Sequence, residues 1–572
     1  MSIKKWVLRE APYVKLDPVL QAEPELVQRL LILRGITSAE QAQQFLSPDY
    51  ERDLGDPLEI LNMDRAVERI LRAIKSNEKI IIFGDYDADG VCSCVIFYDF
   101  FKKIGFKNFE IYIPDRYQEG HGLTFNAIDS FIRNKANLII TIDCGITNYE
   151  AIEKANKAGI DVIVIDHHLV PAKSPPAYTI IDLYQKDEQY PFKDLAAVGL
   201  AFKTVCAILK RGSFDIIKGW EKWLLDVVAL GTITDMVPLQ GENRALVFYG
   251  LKVLQKTQRI GLRALYNETQ VDSTSINSDD VGFLIGPRIN IAGRMDHATT
   301  SFLLLTTQSE SEARWLASRL DQQNNERKIL VGEIFKKINT KYQAAETMPD
   351  IIIAGEESWS PGLLGIVANK VLETYCRPVI IWGKNPKGDI IASCRSNGSI
   401  NLVELMKKIG REFFVDFGGH ALAAGFTLSE GKIKELEVRV EQALKKISKK
   451  EIPTEVLWID QELSLEDVNW KTLNLIEQFQ PFGVGNPRPI FLLSNLVVEN
   501  VKTFGNEGIH LQIDFKKQNG ERLPAVGFFM ENDFEPKIKK GSRIDLVASI
   551  EKSTFKGYNE LRLRIIDIRI AK

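Results

Sequence analysis

The sequence predicts an α/β protein in which a parallel sheet covered on both faces leads into a helical connector. A second α/β segment and a C-terminal β-barrel follow. Three observations carry this expectation. Short β-branched runs alternate with helical stretches from Lys79 onward, helical composition dominates from about Trp220 to Tyr342, and alternating strands crowd the C-terminal end.

The first expected strands are Lys79–Phe83 (KIIIF), Phe109–Ile113 (FEIYI), Leu138–Ile142 (LIITI) and Val162–Ile165 (VIVI). Helix-compatible spacing fills Val91–Ile104, Thr124–Asn134 and Asn148–Ala158 between them. Continuously apolar strands joined by crossover helices make a parallel sheet buried on both faces. Residues 310–331 contain no Gly or Pro, and their polar centre, DQQNNERK at 321–328, suggests an exposed connecting helix. The second α/β segment opens near Asp350 with IIIAG and continues through PVIIWG and DIIAS. A lysine-rich stretch at 445–455 reads as a linker. Beyond it IHLQIDF (509–515), IDLVASI (544–550) and LRLRIIDI (561–568) read as antiparallel strands, for which a small barrel is the natural closure.

Composition narrows the class. The chain has 572 residues, 45% hydrophobic and 26% charged, which excludes a largely disordered or collagen-like protein. The longest apolar stretches run near ten residues, too short to span a membrane. The N-terminal residues lack an uninterrupted apolar core, so no signal peptide is expected. Six cysteines without framework spacing point to a reducing cytoplasm. Net charge is −3, unevenly spread. Residues 51–100 carry eleven acids against six bases, and residues 537–572 carry ten bases against four acids. An acidic cation site and a basic module that meets phosphates fit this separation, as do merely uneven solvated surfaces.

The sharpest local feature is Gly84-Asp85-Tyr86-Asp87-Ala88-Asp89-Gly90, directly after the first strand. It copies the opening of a calcium loop, but that loop needs Glu at its twelfth position, where Ile96 stands. Asp143 follows the strand LIITI, and Asp166-His167-His168 follow VIVI. Asp235 ends the run VALGTITD by the same design. Ligands of parallel sheets bind at the carboxyl ends of strands, where strand order reverses, so these side chains can converge. One strand-end Asp is ordinarily a helix cap. Three successive strands ending in carboxylates, one with two histidines, point instead to a metal crevice. Gathered carboxylates repel and are costly to desolvate, and divalent cations relieve both effects. Oxygen donors with one or two imidazoles and no thiolate favour Mn²⁺ or Mg²⁺, and so many carboxylates suggest two ions. Cys92, Cys94 and Cys144 read as small packing residues. The chemistry expected is phosphoester hydrolysis.

These motifs resemble the DHH phosphoesterase family, named for the triplet seen here as Asp166-His167-His168. By that resemblance Asp87, Asp89, Asp143, His167 and Asp235 are direct metal ligands, and Asp85 is a ligand or an orienter. His168 is similar to the family histidine that polarises the scissile phosphate, with Asp166 fixing its tautomer. Longer motifs are similar to the RecJ branch of the family, single-strand-specific exonucleases that work from a 5′ end. They are residues 113–117 (IPDRY) with 119–122 (EGHG), 286–290 (GPRIN) with 292–294 (AGR), 361–368 (PGLLGIVA), 418–421 (GGHA) and 480–487 (QPFGVGNP). The branch usually has His where Ser360 precedes Pro361.

The resemblance implies a DHH domain at 61–240, a helical connector at 241–348 and a DHH-associated domain at 349–447. An OB-fold would occupy 453–572, and residues 1–60 would be an N-terminal extension. It implies that Ser393 and Arg395, two apart on one strand face, bind a 5′ phosphate, a strand-face salt bridge being the alternative. Gly418 and Gly419 let backbone N–H groups approach a phosphate beside His420, or else form a tight turn. Arg288 and Arg294 are candidate contacts to backbone phosphates. Arg116 and His121 border the nucleotide site or stabilise its loop. In the last module Phe528, Phe529, Phe555 and Tyr558 would stack on bases while Lys552, Lys556, Arg562 and Arg564 meet phosphates.

The expectation is therefore a cytoplasmic, monomeric, metal-dependent exonuclease that degrades single-stranded DNA 5′ to 3′ to mononucleotides during repair and recombination. A single-strand-binding protein and a helicase are the partners the family suggests. Two rivals are a DHH enzyme for short oligonucleotides or cyclic dinucleotides, and a non-catalytic single-strand binder.

Overall fold

Buried β-branched runs organise the first sheet. Its strands are β1 (Ile80–Gly84), β2 (Phe109–Tyr112), β3 (Leu138–Ile142), β4 (Asp161–Ile165) and β5 (Thr179–Ile181). All pair in parallel in the order β2-β1-β3-β4-β5, so strand order reverses between β1 and β3. Every residue of β1 and β3 is buried, as a sheet covered on both faces requires. On one face α2 (Phe125–Arg133) and α3 (Tyr149–Lys157) set Ile128, Phe131 and Ile152 against Phe83 and Ile139. Near the sheet, α1 (Ala88–Lys103) packs with α4 (Ala197–Arg211) and α5 (Leu225–Thr234). The helix α1 begins three residues before the expected Val91, because Asp87 caps it with Oδ1 accepting from the N–H groups of Asp89 and Gly90.

The computed structural model describes residues 4–343, 347–447, 456–505, 509–528, 530, 538–553 and 559–571. The chain divides into two compact units. Gly55–Val237 and Tyr249–Glu455 belong to the first, while Lys4–Leu54, Pro238–Phe248 and Val456–Lys572 belong to the second. Most of the lysine-rich linker lies outside the described residues.

Within the first unit the connector includes α6 (Gly286–Met295) and the 34-residue α7 (Glu310–Gln343). The expectation of an exposed α7 centre needs correction at one point. Packing of α7 along α6 leaves Asn324 with 0% exposure. The second sheet contains β6 (Ile352–Gly355), β7 (Val379–Lys384), β8 (Ile390–Arg395), β9 (Asp416–Gly419) and β10 (Ala423–Leu428). Its order is β9-β10-β8-β7-β6, and only β6–β7 is parallel. The helix α8 (Pro361–Tyr375) covers it and buries Leu363, Leu364 and Val367 with Ile352 and Ile381.

The second unit overturns one boundary. Of the expected extension at 1–60, Lys4–Leu54 belong to the second unit with the C-terminal module: the strand Lys5–Leu8 pairs in parallel with Val456–Ile459. Val27, Leu30 and Leu31 share a core with Phe479, Phe491 and Phe515. Arg29 donates to the carbonyls of Arg9 and Asp460, and Arg34 to Asn486 and Pro487. The C-terminal strands are β11 (Phe491–Val497), β12 (Asn500–Phe504), β13 (His510–Lys516), β14 (Arg522–Gly527), β15 (Arg543–Ser553) and β16 (Glu560–Ile570). They run β11-β15-β16-β14-β13-β12, antiparallel except for β14–β16. Strands β11, β13, β14, β15 and β16 all feed one core, as a small barrel requires. Among the described residues no helix is long and apolar enough to cross a membrane.

Candidate functional site

The reversal point between β1 and β3 sets the site. Each strand-end aspartate extends the ladder by one bond to its neighbour. Asp85 N–H donates to Ile142, Asp143 N–H to Ile165 and Asp166 N–H to Ile181. Three carboxylates are thereby aligned along one edge of the sheet. Asp143 takes a left-handed backbone with φ +63°. That conformation costs a residue with a Cβ about 1–2 kcal/mol, and Asp is among the few that visit it.

One expectation about this edge is corrected. Asp235 does not end a strand; it follows helix α5 as its C-cap. A carboxylate is unfavourable at the negative end of a helix dipole. Burial, then the charge of Asp87, pushes its carboxyl up to about 6.

The side chains converge. His167 Nε2 lies 3.2 Å from Asp143 Oδ1 and 3.8 Å from both Asp89 Oδ2 and Asp235 Oδ2. Three donor sets bring their ligand atoms within 4.8 Å of one another: Asp85/Asp87/Asp143, Asp89/His167/Asp235 and Asp143/His167/His168. Burial, followed by the neighbouring aspartates, drives Asp89 and Asp143 well above the carboxylate range. Burial also lowers the His167 imidazole to about 4, so its ring is neutral and able to act as a ligand. Asp85 Oδ1 is buried without a hydrogen bond. Crowded carboxylates, a neutral imidazole and an unmet buried acceptor fit a hard divalent cation. The thiols of Cys92 and Cys94 are buried in α1, and Cys144 is buried just after β3.

A second layer orients these groups. His168 Nδ1 lies 2.7 Å from Asp166 Oδ1, and this bond raises the imidazole. Burial favours the neutral carboxyl at Asp166, but bonds from His168 and the Ile146 N–H outweigh it and hold the group low. His121 Nδ1 stands 3.3 Å from Asp85 Oδ1, and Arg116 covers the Tyr86 ring at 5.0 Å. The two oxygens of Asp89 accept the N–H groups of Ala197 and Val198, which open α4.

The arginines separate. Arg288 and Arg294 sit six apart on helix α6, so they point in different directions. Arg288 is buried and its guanidinium is held by Asp321 at 2.6 Å, so the phosphate contact expected of it is taken by a carboxylate. Arg294 instead lies in the field of Asp87, Tyr86 and Arg116. A Cβ at Gly293 would overlap the Tyr86 carbonyl, and one at Gly362 the Arg294 carbonyl. Gly293 thus lets α6 close on the aspartate loop, and Gly362 lets α8 close on α6.

On β8 the Arg395 guanidinium donates to Ser393 Oγ at 3.2 Å. Among the described residues it has no carboxylate partner, which leaves the fork without the salt bridge that was its alternative. Gly365 in the first turns of α8 approaches both side chains. The Ser360 N-cap makes no side-chain bond to the start of α8, where the Leu363 N–H donates to the Ser360 carbonyl. Gly419 has φ +133°, and a Cβ there would strike the Ala423 carbonyl. The His420 N–H closes that hairpin at 2.7 Å, while Gly418 faces open space.

Several contributors escaped sequence reasoning. Asn290 Oδ1 accepts the Ala88 N–H at 2.7 Å and steadies the aspartate loop. Asp182 is fully buried, and burial pushes it up to about 7. Its signal was available, since it ends β5 as Asp143 and Asp166 follow β3 and β4. In the second unit Phe528 is 38% exposed, meets the His510 ring edge-on and lies under Arg562 and Arg564. Lys552 lies on β15, and Phe529, Phe555, Lys556 and Tyr558 lie outside the described residues.

Comparison with known proteins gives three family matches. They are the DHH family, N-terminal domain (residues 79–232), the DHHA1 domain (339–446) and the RecJ OB domain (459–567). The chain is 34% identical over 548 residues to the single-stranded-DNA-specific exonuclease RecJ of Bacillus subtilis, covering 96% of this chain and 68% of that protein. It resembles the crystal structure of RecJ in complex with Mn²⁺ from Thermus thermophilus, with TM-score 0.80 and 24% identity over 99% of this chain and 80% of that one. It also resembles a crystal structure of exonuclease RecJ bound to manganese, with TM-score 0.61 and 29% identity over 68% of this chain and 96% of that one.

Proposed function

The chain belongs to the RecJ family of DHH phosphoesterases, and we propose on that premise how its residues perform the reaction. It is an exonuclease of single-stranded DNA that depends on a divalent metal. Degradation runs 5′ to 3′ and releases mononucleotides, in the service of DNA repair and recombination. The observation that carries this reading is the convergence of Asp143, His167 and the aspartate loop at the sheet's reversal point.

Asp87, Asp89, Asp143, His167 and Asp235 would hold two divalent ions, Mn²⁺ or Mg²⁺, with Asp85 as ligand or as partner of His121. Bound there, the ions supply a water of lowered pKa and positive charge at the attacking and leaving oxygens. His168 gives Nδ1–H to Asp166 and keeps Nε2–H for a phosphate oxygen. Arg294 and Arg116 balance phosphate charge beside the loop. Ser393, Arg395 and the start of α8 receive the terminal 5′ phosphate. Gly418, Gly419 and His420 border the strand from the edge of the second sheet. In the second unit Phe528 offers a stacking face between Arg562 and Arg564. The protein works in the cytoplasm as a monomer, on ends supplied by a helicase and a single-strand-binding protein.

One experiment tests polarity, strand preference and cofactor together. A 5′-phosphorylated single strand labelled at its 3′ end is incubated with Mn²⁺, Mg²⁺ or chelator, beside a blunt duplex. Progressive, metal-dependent shortening of the labelled strand with the duplex spared is expected. Immediate release of labelled mononucleotide would overturn the 5′ polarity and leave the metal site standing.

A further inference from the structure

The middle of α7 carries polar groups that the fold leaves unmet. Asn324 has 0% exposure, and neither Nδ2 nor Oδ1 has a hydrogen-bond partner. One turn later Arg327 Nε is buried without a partner. Among the described residues Arg327 makes no hydrogen bond or ion pair. Buried polar atoms are nearly always paired, because an unpaired one forfeits its hydration for nothing in return. Three such atoms on adjacent turns of one helix face mark a place prepared for something else.

The surroundings identify the charge of what is missing. Arg327 lies in the field of Arg288 and Arg294, and Lys328 in that of Arg288 and Arg327. Arg294 in turn feels Arg116 and Asp87, which ties this cluster to the aspartate loop. Asp321 already neutralises Arg288, leaving Arg116, Arg294, Arg327 and Lys328 without an ion pair among the described residues. Asp87 offsets Arg294 and Asp321 offsets Lys328 only from a distance, so the cluster still favours an anion. One turn beyond, Leu330 lines a cavity of about 460 Å³ whose apolar side is Tyr117, Met295, Pro361 and Leu363 and whose polar side includes Glu357 and Lys384. An anion joined to a flat apolar group fits both features, and a nucleotide unit of a single strand is such a group.

We propose that Arg327 binds a backbone phosphate of the single strand, with the attached base entering the Tyr117–Leu330 cavity, and that Asn324 is the positioning residue that holds Arg327. Asn324 Oδ1 is an unmet acceptor and Arg327 Nε–H an unmet donor, three positions apart on one face. Their pairing satisfies both and aims the remaining guanidinium N–H groups at the phosphate. This inference rests on the single-strand exonuclease reading.

The test compares the parent with Arg327→Gln, Arg327→Lys, Asn324→Ala and the Arg327→Gln/Asn324→Ala double variant. The substrate is a 5′-phosphorylated 20-nucleotide strand with Mn²⁺. Arg327→Gln should raise KM about tenfold with kcat within a factor of two, and Arg327→Lys should recover part of the loss. Removing one phosphate contact should flatten the plot of log binding constant against log salt by about 0.7. In the Arg327→Gln background Asn324→Ala should add little, because both changes remove one contact. The melting temperature of Arg327→Gln should fall no further than that of Asn324→Ala, since the one protein partner lost is Asn324 Oδ1. Unchanged KM and salt slope in folded Arg327→Gln would overturn the proposal, as would a melting temperature well below that of Asn324→Ala, which would reveal a further structural partner. A parent that neither binds nor shortens the strand would instead sink the exonuclease reading.

Discussion

Two walls of the first unit are charged to opposite excess. The edge of the parallel sheet gathers Asp85, Asp87, Asp89, Asp143 and Asp235, three of which burial and mutual repulsion push upward. The connector and second sheet gather Arg294, Arg327 and Arg395, which burial pushes downward. The basic wall also holds an unmet buried atom, Arg327 Nε. Among the described residues none of these three arginines ion-pairs with any of the five aspartates. Opposite charges held in one unit without collapsing onto each other leave room for two ligands of opposite sign. Cations belong to the acidic wall and phosphates to the basic one.

The acidic wall should break most completely. Asp143→Ala should lower hydrolysis by roughly 10³-fold or more, while single-strand binding in chelator stays near the parent's. Asp143→Asn keeps the side-chain volume and tolerates the left-handed backbone, and should be equally inactive. Without metal, the melting temperature of Asp143→Asn should rise by roughly 2–4 °C, because a repelled buried charge is gone. Substantial metal-dependent turnover by either variant would remove Asp143 from the ligand set.

The basic wall should yield a smaller and more selective loss. Arg395→Ala should reduce kcat/KM on a 5′-phosphorylated strand about 10- to 100-fold, the value of a charge-assisted bond to phosphate. On the same strand with a 5′ hydroxyl the two proteins should differ little. An equal loss on both substrates would place Arg395 in general backbone binding rather than at the terminal phosphate.

Legibility in the sequence followed the range of the interactions. The strands around the crevice were readable within a residue or so of their ends, since buried β-branched runs ending in Asp are local signals. Asp235 was found as a site residue but placed on the wrong element, because VALGTIT is apolar enough for a buried helix or a strand. Arg288 and Arg294 looked equivalent until the helical turn of α6 sent one to Asp321. Asn324 and Arg327 were hidden inside a polar run that reads as solvated surface. The first 54 residues carried no local sign of joining the C-terminal core. That join is made by Arg29 and Arg34 capping carbonyls and amides more than 400 positions away.

The smallest effect is the one that weighs the two walls against each other. In the metal-free protein the acidic wall binds more protons than the unfolded chain does between pH 4 and 6, since burial pushes Asp235 up to about 6 and also drives Asp89 and Asp143 well above the carboxylate range. A raised folded pKa means that the wall's contribution is complete at low pH and declines as pH rises through that window. Metal binding reverses the decline, because it requires the deprotonated carboxylates. The rise in melting temperature caused by Mn²⁺ should therefore grow between pH 5 and pH 7.5, from near zero to roughly 3–6 °C. Saturating sulfate, a dianion throughout this range, should give a rise that stays nearly flat, since neither the ion nor the arginines titrate there. A Mn²⁺ effect independent of pH would mean that the carboxylates are already ionised in the metal-free protein. Their charge would then be balanced from within, and the asymmetry between the walls would vanish.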